Sequence, residues 1–314
     1  RPPRSTLFPY TTLFRSNWIY LLAFVAAGTL FGFLVGYLLS IIFFGPDTVR
    51  ELSFVLPKDS EKIAALKLMQ CFNHAGMFLL PSLFWLILIR GKYFYRDLNN
   101  LTTNGYKIIW ITLISILISY TTLPMISFMY SWNQEFIEEI ISGRFQDWLL
   151  GLESNSDRLL VAFSTDTSFG GFVVNLIMMA FLPAIGEELL FRGIIQRELT
   201  NSIHKPYLAI VLTSLLFSTV HFEFAGFIPR FLLSFILGFL FMKSGSLAFP
   251  ILTHFLNNAS VVVASYINQT PIGGDPIKST SYGESLSLLI LSVVVSILLL
   301  GLLGLITGKR KDWV

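Results

Sequence analysis

The sequence predicts an all-α fold, a polytopic bundle of about eight transmembrane helices, and three features carry that reading. First, 54% of the 314 residues are hydrophobic and only 13% charged, with a mean hydropathy of +0.69, more apolar side chain than a soluble core of this size can use. Second, the apolar residues gather into runs of roughly 20, the length a helix needs to cross a hydrocarbon layer of about 30 Å. Third, the basic residues fall mainly beside those runs, the pattern that orients a chain in a membrane rather than one that binds nucleic acid. The net charge of +3 is modest, in keeping with that. Cys71 is the only cysteine, which excludes an intrachain disulfide and a cysteine-based zinc cluster.

In chain order, residues 1–16 begin without Met and change abruptly into a clean span at 17. They read as a non-native segment, so a single membrane domain is expected over 17–314, with the native start missing. Spans are expected at about 17–44, 64–89, 107–131, 171–195, 207–222, 227–243, 247–266 and 285–307. An even number places both ends on one side, and Lys309-Arg310-Lys311 marks it as cytoplasmic. Arg90, Lys92, Arg96 and Lys107 flank the second connection, Arg197 and Lys205 the fourth and Lys243 the sixth, while the other loops are long and acidic. Between spans three and four, Phe136, Ile137, Ile140, Ile141, Phe145, Trp148 and Leu149 recur at helical spacing, predicting an amphipathic helix on the outer surface, with a short soluble hairpin as the alternative. Pro124, Pro183, Pro229 and Pro250 lie in or beside spans, where they free carbonyls that other groups must satisfy.

One stretch breaks the apolar pattern, Phe181-Leu-Pro-Ala-Ile-Gly-Glu-Glu-Leu-Leu-Phe-Arg-Gly193. A charge at the bilayer centre costs roughly 2.5–3.5 kcal/mol, so Glu187, Glu188 and Arg192 mark a working centre. Glu188 and Arg192, four apart, meet on one helical face, whereas Glu187 is turned about 100° away and is free for another task. His221 closes Phe217-Ser-Thr-Val-His221 and His254 opens His254-Phe-Leu-Asn-Asn258, both inside apolar sequence. His254 and Asn258 share a face by spacing, as do Phe217 and His221. Together these residues predict one shared interior site. For that to hold at one depth, span four must run past Arg192 and span five beyond His221 toward Phe224. His74, beside Gln70, Cys71 and Asn73, reads as a polar patch near a helix end or between helices, and His204 as a loop residue. A carboxylate, two imidazoles and an amide suit hydrolysis without a covalent nucleophile. The chain has no His-Glu-x-x-His zinc helix and no Gly-x-Ser-x-Gly elbow, and Gly273-Gly274-Asp275 reads as a turn.

Glu187-Glu188-x-x-x-Arg192, Phe217-x-x-x-His221 and His254-x-x-x-Asn258, in that order, resemble the three motifs of the CAAX protease and bacteriocin-processing (CPBP, or Abi) intramembrane proteases. The resemblance covers about 165–270. It implies an intramembrane endopeptidase in which Glu187 is the general base on water and His221 positions that water. It further implies that His254 and Asn258 form the oxyanion site and that Glu188 pairs with Arg192. An alternative within the family is a zinc metalloprotease with Glu187, His221 and His254 as ligands and Glu188 as base. The metal-free assignment is preferred, because it gives Asn258 a task, so no cofactor is expected. The implied partner is a membrane-associated peptide or protein in the bilayer, lipidated in relatives that cut the C-terminal tripeptide from prenylated CAAX proteins. In bacterial members peptide maturation, bacteriocin self-immunity or cleavage of a membrane-bound partner is implied, which places the chain in a bacterial cytoplasmic membrane. Two rivals remain: a catalytically silent immunity or scaffold protein, and a proton-coupled transporter using Glu187, His221 and His254 as a relay, for which no inverted repeat is seen.

Overall fold

Every apolar run of the sequence is a helix, and among the described residues no strand accompanies them. The computed structural model describes residues 9–52, 59–90, 105–272 and 285–308. In chain order the helices are α1 (Pro9–Phe44), α2 (Pro46–Glu51), α3 (Ser60–Ile89), α4 (Gly105–Ile140), α5 (Arg144–Ser164) and α6 (Phe169–Ile203). They are followed by α7 (Pro206–Thr219), α8 (Phe227–Ser244), α9 (Ala248–Asn268) and α10 (Leu286–Thr307). Seven of them, all but α2, α5 and α7, are long and apolar enough to cross a membrane. Large apolar side chains such as Leu22, Ile42, Ile87, Leu298 and Leu305 point outward, as the hydrocarbon phase requires. The chain is therefore an integral membrane protein.

Three details differ from the sequence expectation. The fifth apolar run forms only the 14 residues of α7, about 21 Å at 1.5 Å per residue and short of a full crossing. That helix stops before His221 rather than continuing to Phe224. The amphipathic pattern over 136–149 is divided between the end of α4 and the start of α5, because Ile141 turns extended and Gly143 takes φ +74°. The basic residues Lys92, Arg96 and Lys309-Arg310-Lys311, and the Gly273-Gly274-Asp275 turn, lie outside the described residues.

Small residues bring the helices close enough to build a site. Gly28, Gly32 and Gly36 line one face of α1 at four-residue spacing, and a Cβ on Gly28 or Gly32 would overlap the carbonyl oxygens of Gly76 or Phe72 on α3. Gly186 repeats the device between α6 and α3, where a Cβ would lie 3.1 Å from Phe78 Cβ and 3.6 Å from His74 Nε2. Behind these contacts Phe191, Phe217, Phe241, Trp85 and Ile210 form a core between α3, α6, α7 and α8. A second core joins Ile111, Ile114 and Ile118 of α4 to Leu237, Leu240, Phe249 and Leu303.

The intramembrane prolines are repaired by side chains from other helices. Pro124 accompanies a break in α4 at Thr122, and Ser292 of α10 splices it, donating to the Thr121 carbonyl at 2.5 Å and accepting from Met125 N–H at 3.2 Å. Pro183 has no N–H to offer the Met179 carbonyl four residues earlier, and Asn258 Nδ2 of α9 supplies a donor at 3.2 Å.

Candidate active site

The centre of α6 is irregular on both sides of its acids, with π-helical turns at Leu176–Phe181 and Leu189–Gln196 enclosing Pro183, Glu187 and Glu188. The helix continues through Arg192 to Ile203, as the shared depth demands. Glu188 Oε1 accepts from Arg192 Nη1 at 2.6 Å, and both side chains are wholly buried. Arg192 also donates through Nη2 to the Ser234 carbonyl at 2.9 Å and the Ser234 hydroxyl at 2.8 Å. One turn further along α6, Gln196 Nε2 repeats the stitch to the Gly238 carbonyl at 3.0 Å. Glu188, Arg192 and Gln196 thus bind one face of α6 to α8, which offsets the burial of charge.

Glu188 has a second partner on another helix. His254 Nδ1 lies 2.9 Å from the same Oε1, which orients the ring so that Nε2 points at Glu187 Oε2, 3.9 Å away. His221 reaches the same oxygen from the turn beyond α7, its Nε2 also at 3.9 Å. Although it lies beyond the end of α7, its ring is fixed: Nδ1 donates to the Phe217 carbonyl at 2.6 Å and the Phe217 ring lies 4.8 Å away. Phe217 in turn lies 5.0 Å from the Arg192 guanidinium and meets Phe191 edge-on, so one aromatic ring braces both polar layers. The 220–226 turn is pinned by an Arg230–Glu223 ion pair and by Asn133 Nδ2 of α4, which donates to the Phe224 and Ala225 carbonyls. Phe222 in that turn takes φ +52°.

A third imidazole completes the ring. His74 of α3 places Nε2 3.9 Å from Glu187 Oε1, and its buried ring also approaches the Leu182 backbone of α6. Glu187, 5% exposed, therefore faces three imidazole nitrogens, each too far for a direct hydrogen bond and each at a span that one bridging water fits. Sequence reasoning passed over His74, and also over Ser234, Asn133 and Arg230, which hold the expected residues in place. Asn258 comes onto α6 but not onto Glu187, since its amide donates to the Met179 carbonyl. The second N–H of that amide has no assigned partner.

Residues 169–260 match the family of type II CAAX prenyl endopeptidases, Rce1-like. That match takes in α6, α7, α8 and the first half of α9, with all three motifs, and leaves His74 outside. Over 91 residues the chain is 30% identical to YpbD, an uncharacterized protein of Bacillus subtilis (strain 168). The aligned stretch is 28% of this chain and 43% of that protein, so the chain spans less than half of this relative's length. No solved structure matches the chain.

Zinc would need three donors about 2.0–2.2 Å from one point. No group of three His, Cys, Asp or Glu side chains among the described residues is gathered closely enough to hold a metal ion as they stand. With Nδ1 held by Glu188, His254 has only Nε2 left for any metal.

Proposed function

We propose that the protein is an intramembrane endopeptidase that hydrolyses a peptide bond of a membrane-associated peptide or protein at Glu187, without a metal. The observation that carries this reading is the ring of three imidazole nitrogens, each 3.9 Å from the carboxylate of a buried glutamate that forms no ion pair with Arg192. Likeness to the CAAX prenyl endopeptidases over 169–260 supports the reaction class.

In this reading a water lies between Glu187 and the Nε2 atoms of His221 and His74; it donates one hydrogen to Glu187 and the other to His221 Nε2, whose Nδ1 donates to the Phe217 carbonyl, and accepts from His74 Nε2–H, which leaves a lone pair for the substrate. Glu187 takes a proton as the water oxygen bonds to the scissile carbonyl carbon, and the carbonyl electrons pass to oxygen. His254 meets that oxyanion through Nε2, its ring oriented by the contact of Nδ1 with Glu188. The remaining Asn258 N–H is the second donor. Glu187 then returns the proton to the departing amine as the C–N bond breaks. Arg192 and Ser234 hold Glu188, and so His254, in register.

The orientation that suits this scheme has both ends on the cytoplasmic side of a bacterial membrane. Helices α7 and α8 form a hairpin whose turn carries His221 to the level of Glu187, so the hairpin returns to its starting side whether or not α7 crosses fully. Six other crossings, α1, α3, α4, α6, α9 and α10, leave the ends together. No nucleic-acid partner is proposed.

The test is a comparison of membrane peptides from cells making the wild-type chain or Glu187→Gln at equal levels. Cleavage products present only with wild type support hydrolysis. Identical peptide sets, together with a wild-type phenotype from Glu187→Gln, point instead to an immunity or scaffold role.

A further inference from the structure

Lys67 is the one lysine reported among the buried side chains, at 6% exposure, and it lies two turns of α3 before His74, about 10 Å from the candidate active site. It lines a cavity of about 800 Å³ walled by Phe43 and Phe44 at the end of α1, Ile63 and Leu68 of α3, and Val174 of α6. Among the described residues Lys67 makes no hydrogen bond and no ion pair; the carboxylate whose field reaches it is Asp166 at the exposed rim, where Asp166 already accepts from Ser168 N–H at 3.0 Å. Asp166 stands at the exposed rim and forms no ion pair with this largely buried lysine, which leaves the ammonium open to an anion entering the cavity.

We infer that this cavity binds a phospholipid of the bilayer, its phosphate on Lys67 and an acyl chain along the apolar walls. Three observations select that occupant. The cavity lies at the ends of membrane-spanning segments, against the last residues of α1 and the first turns of α3 and α6, the level at which headgroups sit. Its rim runs into exposed apolar surface at Phe43 and Phe169, each 69% exposed, so a chain leaving the cavity stays in hydrocarbon. Its single buried polar charge is positive, complementary to a phosphodiester. The site is separate from Glu187 and does not depend on hydrolysis.

Cys71, one turn from Lys67 and lining the same cavity, is the only cysteine in the chain and reports occupancy directly. Full-length protein in dodecyl maltoside is treated with a small maleimide, and Cys71 modification is followed by mass at increasing dihexanoyl phosphatidylglycerol. Protection is expected. Lys67→Gln should raise the half-protecting concentration by about ten- to hundredfold, the range of a lost charge-assisted hydrogen bond, while Lys67→Arg should stay near wild type. Lys67→Gln should keep the wild-type unfolding temperature, which verifies its fold, and its protection is read against its own unprotected labelling rate, because Lys67 favours the Cys71 thiolate. Equal protection by uncharged dihexanoylglycerol, protection by laurate alone, or undiminished protection in Lys67→Gln would overturn the proposal. Should Lys67→Gln fail to fold, absence of protection in wild type and in Lys67→Arg overturns it as well.

Discussion

At the scale of single residues, two neighbouring glutamates have opposite assignments because their neighbours differ. Glu188 is spent on Arg192 and His254, whereas Glu187 faces only imidazole nitrogens at water-bridging range. Glu187→Gln is therefore expected to abolish hydrolysis with thermal stability within about 0.5 kcal/mol of wild type. Glu188→Gln leaves Arg192 buried without its counter-charge and should cost about 3–5 kcal/mol, read as a large fall in unfolding temperature. An inactive but fully stable Glu188→Gln beside an active Glu187→Gln would exchange the two roles. His74 carries a separate prediction: His74→Ala should lower kcat about 100-fold with little change in KM, because its Nε2 faces the attacking water and not the substrate. The Glu188–Arg192 pair was legible from a four-residue spacing. His74 was not, since a histidine among Gln70, Cys71 and Asn73 has the same local pattern whether it packs against a neighbour or enters a site. Only the tertiary approach of α3 to α6 at Gly186 decides between them.

At the scale of elements, the site depends on how closely three helices approach α6. The α1–α3 contact is made over Gly28, Gly32 and Gly76 with backbone atoms on both sides, so no side chain can move to make room. Gly32→Val should separate these helices, destabilise the protein by about 1–3 kcal/mol and displace His74; Gly301→Ala, with no neighbour within 4 Å, is the matched neutral control. Thermal unfolding in detergent compares the two, and equal unfolding temperatures would refute the packing account. Helix positions were readable from hydropathy, but the end of α7 was not. Val220 and His221 follow an apolar run, and it is the 220–226 turn, held by Asn133 from distant α4 and by Arg230 at the start of α8, that stops the helix and presents His221. The split at Gly143 was hidden for a related reason: apolar spacing continued across it while φ +74° favoured a glycine break.

At the scale of the whole molecule, the all-α membrane architecture followed from composition and run length alone, because the bilayer permits so few alternatives. The convergence of α3, α6, the α7–α8 turn and α9 on Glu187 did not, since it is set by contacts between residues far apart in sequence. The proposed function makes that convergence a water-activating centre of protein groups alone, and its most direct measurement is hydrolysis by purified full-length protein after exhaustive chelation, on a peptide identified from wild-type membranes. The account predicts that chelated enzyme retains wild-type kcat and that Glu187→Gln has none. Activity that is lost on chelation, returns with stoichiometric zinc, and fails to return in His221→Ala and His254→Ala because they no longer bind the metal would contradict it.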